Sequence, residues 1–171
     1  MKIAFIGLGA MGGPIAANLQ RAGHDLQAYD LRRVEGFPGF RASAADAVKG
    51  CEVLFTSLPG PAEVEEASKK LSLGEGTVWF DLSTNSPAVV RRIHANNPRF
   101  LDAPVSGGPR GAQTGKLAIW VGGSKEIYER YEALLRVIGD QPLYVGPIGA
   151  GTVAKLAHNC ASFSVQAALA E

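Results

Sequence analysis

The stretch KIAFIGLGAMGGPIAANL, residues 2–19, decides the fold. It opens with a short apolar run of strand-forming residues. Glycines follow at Gly7, Gly9 and Gly12, and then a run with helical periodicity. A glycine fingerprint alone is weak, because glycines are common in turns. Between a strand and a helix each glycine has a task. The first permits the tight turn, the second lets backbone approach a pyrophosphate, and the third lets helix pack on strand. The helix N-terminus then attracts the phosphates. The turn Gly7-Leu8-Gly9-Ala10-Met11-Gly12 therefore reads as a dinucleotide cradle. A lysine before an apolar run could also suggest a signal peptide, but the glycines and Pro14 fit strand, turn and helix better.

Outward from this unit the same alternation continues. Strands are expected at 2–8, 25–30, 39–42, 52–58, 77–82, 100–105, 117–121 and 143–145. Helices are expected at 10–22, 44–49, 61–71, 87–96 and 125–138, with a long apolar helix from 149 to 171. Apolar strands alternating with amphipathic helices predict an α/β fold, a Rossmann-type doubly wound and mostly parallel sheet. Ser86-Pro87 and Gly60-Pro61 read as helix starts, and Ser43 with Asp46 has capping-box spacing. The segment 32–42 is too short for a full crossover helix, so that unit is abbreviated.

Asp30 follows Gly12 by 18 residues, at the end of the second expected strand. An acid there can accept both hydroxyls of an adenosine ribose, and it repels a 2′-phosphate. Arg32 and Arg33 act in the opposite sense, since guanidinium groups hold phosphate well. The expected cofactor is NAD, with NADP possible.

Bulk composition narrows the function classes. With 17 basic and 16 acidic side chains there is no electrostatic case for nucleic acid or an anionic membrane. No run is long enough for a transmembrane helix, so the default location is cytoplasmic. Cys51 and Cys160 both lie in apolar runs and read as buried thiols, and no metal-type spacing occurs. Thr152 stands where a Walker-type loop needs lysine, which removes nucleoside triphosphates.

Four stretches together resemble the β-hydroxyacid dehydrogenase family, the group around 3-hydroxyisobutyrate dehydrogenase and tartronate semialdehyde reductase. They are GLGAMGGPIAANL, DLSTNSP, DAPVSGGPRGAQTGKLAIWVGG and GAGTVAKLAHN, in the family's order and spread over the chain. The resemblance implies that Thr84 lies near the nicotinamide ribose and that Leu58 and Pro59 line the cofactor. It implies Ser106, Gly107 and Gly108 as substrate binders, Lys155 as catalytic acid/base and Asn159 as a substrate holder. The implied reaction is hydride transfer between a nicotinamide cofactor and the hydroxyl carbon of a small 3-hydroxy acid, or reduction of the matching semialdehyde.

The chemistry is sensible residue by residue. Ser106-Gly107-Gly108 follows a strand and offers backbone N–H groups and a hydroxyl without bulk, although many such segments are plain loops. Lys155 and Asn159 are four apart, so a helix places them on one face. Most helical lysines snorkel to water, but a lysine among Val153, Ala154, Leu156 and Ala157 can be desolvated enough to exchange a proton near neutrality. His158 departs from the asparagine common at this place in the hydroxyisobutyrate-type enzymes and is read as a partly buried residue that tunes polarity.

Residues 1–148 are expected to form the dinucleotide-binding domain, and 149–171 the start of an interdomain catalytic helix. The resemblance implies a following helical domain that this sequence does not include, a homo-oligomer in full-length form, and weak turnover by the isolated chain. Three other readings compete. A 6-phosphogluconate dehydrogenase-like decarboxylating enzyme is suggested by His158-Asn159, although Pro109-Arg110 replaces its usual acidic pair. A non-catalytic NAD(P)-binding module would have no need of Lys155. Imine-reducing relatives commonly replace that lysine.

Overall fold

A computed structural model describes residues 1–171. The chain runs β1 (Lys2–Ile6), α1 (Gly12–Arg21), β2 (Asp25–Tyr29), α2 (Ala44–Val48), β3 (Val53–Thr56), α3 (Pro61–Lys70), β4 (Val78–Asp81), α4 (Pro87–Asn96) and β5 (Phe100–Asp102). It continues through β6 (Val105–Ser106), α5 (Gly108–Thr114), β7 (Ala118–Gly122), α6 (Lys125–Leu135), β8 (Gln141–Gly146) and α7 (Ala150–Ala170). The strands form one sheet in the order β2-β1-β3-β4-β5-β7-β6, with β8 on the free side of β7. The first five strands are mutually parallel. β7 runs against β5 and β6, and β8 lies parallel to β7.

The period-2 alternation of each strand divides the core in two. Ile3, Phe5, Val53, Phe55, Val78 and Phe80 point to one face, where they meet Ile15 and Leu19 of α1 and Tyr131 and Leu135 of α6. Ala4, Ile6, Leu54 and Trp79 point to the other, against Val48, Val64, Val90 and Ile93 of α2, α3 and α4. Both faces are covered, so the strands read as continuous apolar runs rather than alternating ones. Phe5, Phe55 and Phe80 lie in register across β1, β3 and β4, with ring centroids 6.1 and 5.6 Å apart.

Several expectations need correction. The strand expected at 39–42 is a single bridge, Ala28 to Phe40, beside β2. Pro38 lacks a ladder donor and Gly39 has φ +77°, so the segment touches the sheet edge once and leaves it. The strand expected at 100–105 divides into β5 and β6. After Ala103-Pro104 the chain stops following β4 and pairs with antiparallel β7 on its other side. The segment after β6, for which no helix is expected, forms α5. Its Gly-Pro start and left-handed Gly115 at its end are ordinary helix punctuation, but it has too few apolar residues to show periodicity. Ser43 caps α2, and the Asp46 amide donates to its hydroxyl at 3.1 Å. Ser86 makes no side-chain cap. Cys51 is buried as expected, but Cys160 is exposed. No helix is long and apolar enough to cross a membrane.

Candidate active site

The C-terminal ends of parallel strands gather the loops that carry the sequence signatures. The sheet order reverses direction between β1 and β3, and such switch points open a crevice for ligands. The glycine turn after β1 occupies this point. A side chain at Gly7, whose φ is +96°, would overlap the Ser57 carbonyl, and one at Gly12 would overlap the Gly7 carbonyl. Those two glycines are required by packing. A Cβ at Gly9 would meet nothing within 4 Å, so its backbone is left open toward the cavity.

That cavity measures about 560 Å³ and is lined by Gly7, Gly9, Ala10, Met11, Gly12, Asp30, Leu58 and Pro59, with Ala67 and Lys70 of α3 on its far wall. Leu8 does not line it. Its side chain is buried, and its amide donates to Asp30 Oδ2 at 2.6 Å. The other Asp30 oxygen accepts the Arg32 amide at 2.9 Å. Asp30 thus ties β2 to the glycine turn, and a carboxylate has roughly four acceptor sites, enough to bind ribose hydroxyls as well. Arg32 and Arg33 are exposed and are not among the residues of this wall.

A second cavity of about 270 Å³ adjoins the first, because Met11, Ser57, Leu58 and Pro59 line both. Thr84, Ser106, Gly107, Gly108 and Lys155 complete it. Lys155 is only 8% exposed. Burial pushes its amine below the usual lysine range. No carboxylate pairs with it, and its Nζ stands 5.9 Å from the Trp120 ring centre. Asn159 lies one helical turn beyond, half-buried, and is not among the cavity residues. A larger cavity of about 750 Å³ between the C-terminal ends of α3 and α4 holds Lys69, Trp79, Arg92 and Arg99. It lies toward the N-terminal ends of the strands, away from every signature.

The two loops that meet in the site share a buried hub. Asp81, with no solvent exposure, accepts from Thr56 Oγ1 at 2.8 Å, Asn85 Nδ2 at 2.8 Å and the Ser83 amide at 3.2 Å. Ser83 Oγ in turn accepts the Leu58 amide at 2.9 Å, and Trp79 Nε1 donates to Thr56 Oγ1. The Asp81 carboxyl is nevertheless raised above its ordinary range by desolvation, which outweighs these donors. The hub orients Leu58 on one side and Thr84 on the other. His158 also has a contact that the sequence does not reveal. Its Nε2 lies 3.0 Å from Ser106 Oγ, and its ring is 5.1 Å from Trp120. The only hints of these roles are acids inside apolar strand runs, where unpaired charge is rare.

A doubly wound α/β sheet with an open glycine turn at its switch point and a carboxylate at the end of β2 beside it defines a dinucleotide-binding domain. The residues fit a nicotinamide dinucleotide: Gly9 leaves backbone free for the pyrophosphate, and the trough continues to a buried amine. The profile of the NAD binding domain of 6-phosphogluconate dehydrogenase matches residues 2–146, and the chain belongs to this family. Hydroxyacid dehydrogenases are among the proteins it is similar to. An NAD-dependent L-serine dehydrogenase of Pseudomonas aeruginosa is 40% identical, over 92% of this chain and 58% of its own length. A 3-hydroxyisobutyrate dehydrogenase of the same organism is 38% identical, with the same two shares, 92% and 58%. The structure of Mycobacterium tuberculosis 3-hydroxyisobutyrate dehydrogenase with L-serine superposes with a TM-score of 0.85 at 33% identity, covering 92% of this chain and 58% of that one. The chain thus spans somewhat less than two thirds of the length of the relatives it matches.

Proposed function

We propose that the protein carrying this chain is an NAD-dependent dehydrogenase of a small 3-hydroxy acid, with Lys155 as its acid/base. The observation that carries this reading is the position of Lys155: a nearly buried, unpaired amine in the wall that also holds Ser106, Gly107 and Gly108. The bound nicotinamide supplies the hydride acceptor. Lys155 in its neutral form takes the substrate hydroxyl proton as hydride leaves the same carbon, and it returns a proton in the reverse direction. The Ser106 hydroxyl and the turn amides hold the carboxylate. Asn159 serves the substrate from the same helix face. Thr84 contacts the nicotinamide ribose, and Leu58 and Pro59 form the wall between cofactor and substrate.

Asp30 makes NAD the preferred cofactor over NADP, supported by its place on the cavity wall and by the outward position of Arg32 and Arg33. Residues 1–148 act as the cofactor domain and 149–171 as the start of a catalytic helix. The protein carrying this chain functions as a cytoplasmic homo-oligomer on a small hydroxy acid or semialdehyde, without nucleic acid or membrane. The test is NAD reduction with a panel of 3-hydroxy acids, L-serine included, alongside NAD and NADP affinities. Lys155→Ala should lower turnover by roughly 10² to 10⁴ and leave NAD affinity nearly unchanged. A loss of only a few-fold removes the acid/base role. Tighter binding of NADP than of NAD removes the Asp30 reading.

A decarboxylating reaction is the second reading, favoured by His158 beside Ser106. Oxidation at C3 leaves a 3-oxo acid, and an imidazolium there could protonate C2 as carbon dioxide departs. Stoichiometric release of carbon dioxide with NADH would select it.

A further inference from the structure

Lys155 is placed by a helix that has no cap of its own. The N-cap residue of α7 is Gly149, with φ +90° and no side chain to offer. The first turn is capped instead from β5. Asp102 Oδ1 accepts the Gly149 amide at 2.8 Å, and Oδ2 accepts the Thr152 amide at 2.6 Å. The carboxylate is 1% exposed. Two neighbouring glycines make room for it. A Cβ at Gly122 of β7 would stand 2.5 Å from Asp102 Oδ1 and 2.8 Å from the Gly151 amide, and one at Gly151 would overlap the Trp120 carbonyl. β5, β7 and the head of α7 therefore pack backbone to backbone around one buried carboxylate.

We propose that Asp102 is the positioning residue for Lys155: it anchors α7 from β5 and supplies the buried negative charge that governs when the ε-amine gives up its proton. This rests on the reading of Lys155 as the acid/base. Lys155 lies three residues beyond Thr152, a rise of about 4.5 Å, near the positive end of the helix dipole, which disfavours an ammonium. The Asp102 carboxylate offsets that end. Of the other charges around this region, β4 brings Asp81, the register neighbour of Asp102, whose oxygens accept from Thr56, Ser83 and Asn85. α4 brings Arg91 beside Gly149, while Arg92 is paired with Glu65 and His94 Nδ1 is bonded to the Phe100 carbonyl. α7 itself carries His158, held at Ser106. β8 brings Tyr144, whose hydroxyl donates to the Gly123 carbonyl, and β7 has no titratable side chain. Desolvation lowers the Lys155 amine, and Asp102 is the carboxylate hydrogen-bonded to the first turn of the helix that carries it.

The test reads protons rather than turnover. The ¹³Cε resonance of Lys155 is titrated in the 171-residue chain and in Asp102→Asn. The midpoint should fall by about 0.5 pH unit or more in the variant, the scale of one charge at this range in a protein. An unchanged midpoint in a folded variant overturns the proposal. Should Asp102→Asn fail to fold, Lys155→Met supplies the reciprocal reading. Linkage requires the ¹³C carboxyl titration of Asp102 to move upward by the same amount, and no movement overturns the proposal equally. In the protein carrying this chain, Asp102→Asn should shift the acid limb of kcat for hydroxy acid oxidation downward in parallel. If no hydroxy acid is turned over but the titrations couple, the dehydrogenase reading fails and the Asp102 assignment stands.

Discussion

At the scale of single residues, the glycine turn separates packing from binding. Gly12 is closed by the Gly7 carbonyl, while Gly9 has open space around it. Gly12→Ala should therefore destabilise the fold, by about 1–3 kcal/mol for overpacking, whether or not NAD is present. Gly9→Ala should leave the thermal midpoint almost unchanged and weaken NAD binding at least tenfold, by obstructing the pyrophosphate. Paired calorimetric titrations and melting curves check both. Lys155 carries the opposite conflict, because its burial serves chemistry at the expense of stability. Its folded pKa is depressed below the ordinary 10.5. Between the two values the unfolded chain binds more protons, so stability rises with pH through that window, and the full cost is present below it. Lys155→Met should abolish that rise and gain about 1 kcal/mol at neutral pH, a few degrees in Tm.

At the scale of elements, the site depends on loops that cannot hold themselves. The turns after β3 and β4 contribute Leu58 and Thr84, and both are tied to Asp81 at the end of β4. Asp81→Ala would leave the Thr56 hydroxyl, the Asn85 amide and the Ser83 backbone N–H without their acceptor. A loss of about 3–5 kcal/mol is expected, measurable by urea unfolding, together with weaker NAD binding. The charge has its own pH signature. Burial raises the folded pKa above 3.8, so the native state holds the proton longer than the unfolded chain does. Stability then falls as pH rises from about 3.8 through the raised value, and Asp81→Asn should flatten that part of the profile. Asp102 is raised in the same direction and keeps the remainder.

At the scale of the whole molecule, stability is uneven along α7. Its first turns lie against β7, where Gly151, Thr152 and Lys155 are buried. Farther on, Phe163, Val165 and Leu169 are 62%, 59% and 82% exposed. In this chain the amides after about residue 160 should exchange quickly and those before it slowly. Phe163→Ser should change the melting midpoint by less than about 0.5 kcal/mol equivalent, since it removes no core contact. The layered core is legible in the sequence because burial on both faces writes continuous apolar runs such as VLFT and VWFD, bounded by glycine and proline. The glycine turn is legible because its demands are local to a few backbone units. By contrast, α5 is hidden by its short length, and β8 is underestimated because Gln141 and Pro142 do not look like strand residues, although an edge strand tolerates proline. Residue types and spacing by themselves therefore determined the alternation of strands and helices and the cofactor turn, while Lys155 and Ser106 became candidates through the family resemblance. Only the tertiary structure decided that Asp81 and Asp102 are buried hubs, that His158 meets Ser106, and that Asn159 lies outside the cavity wall. Asp102 and Thr152 are 50 residues apart in sequence. No local pattern records such a pairing, because it exists only once the sheet order has brought β5, β7 and α7 together.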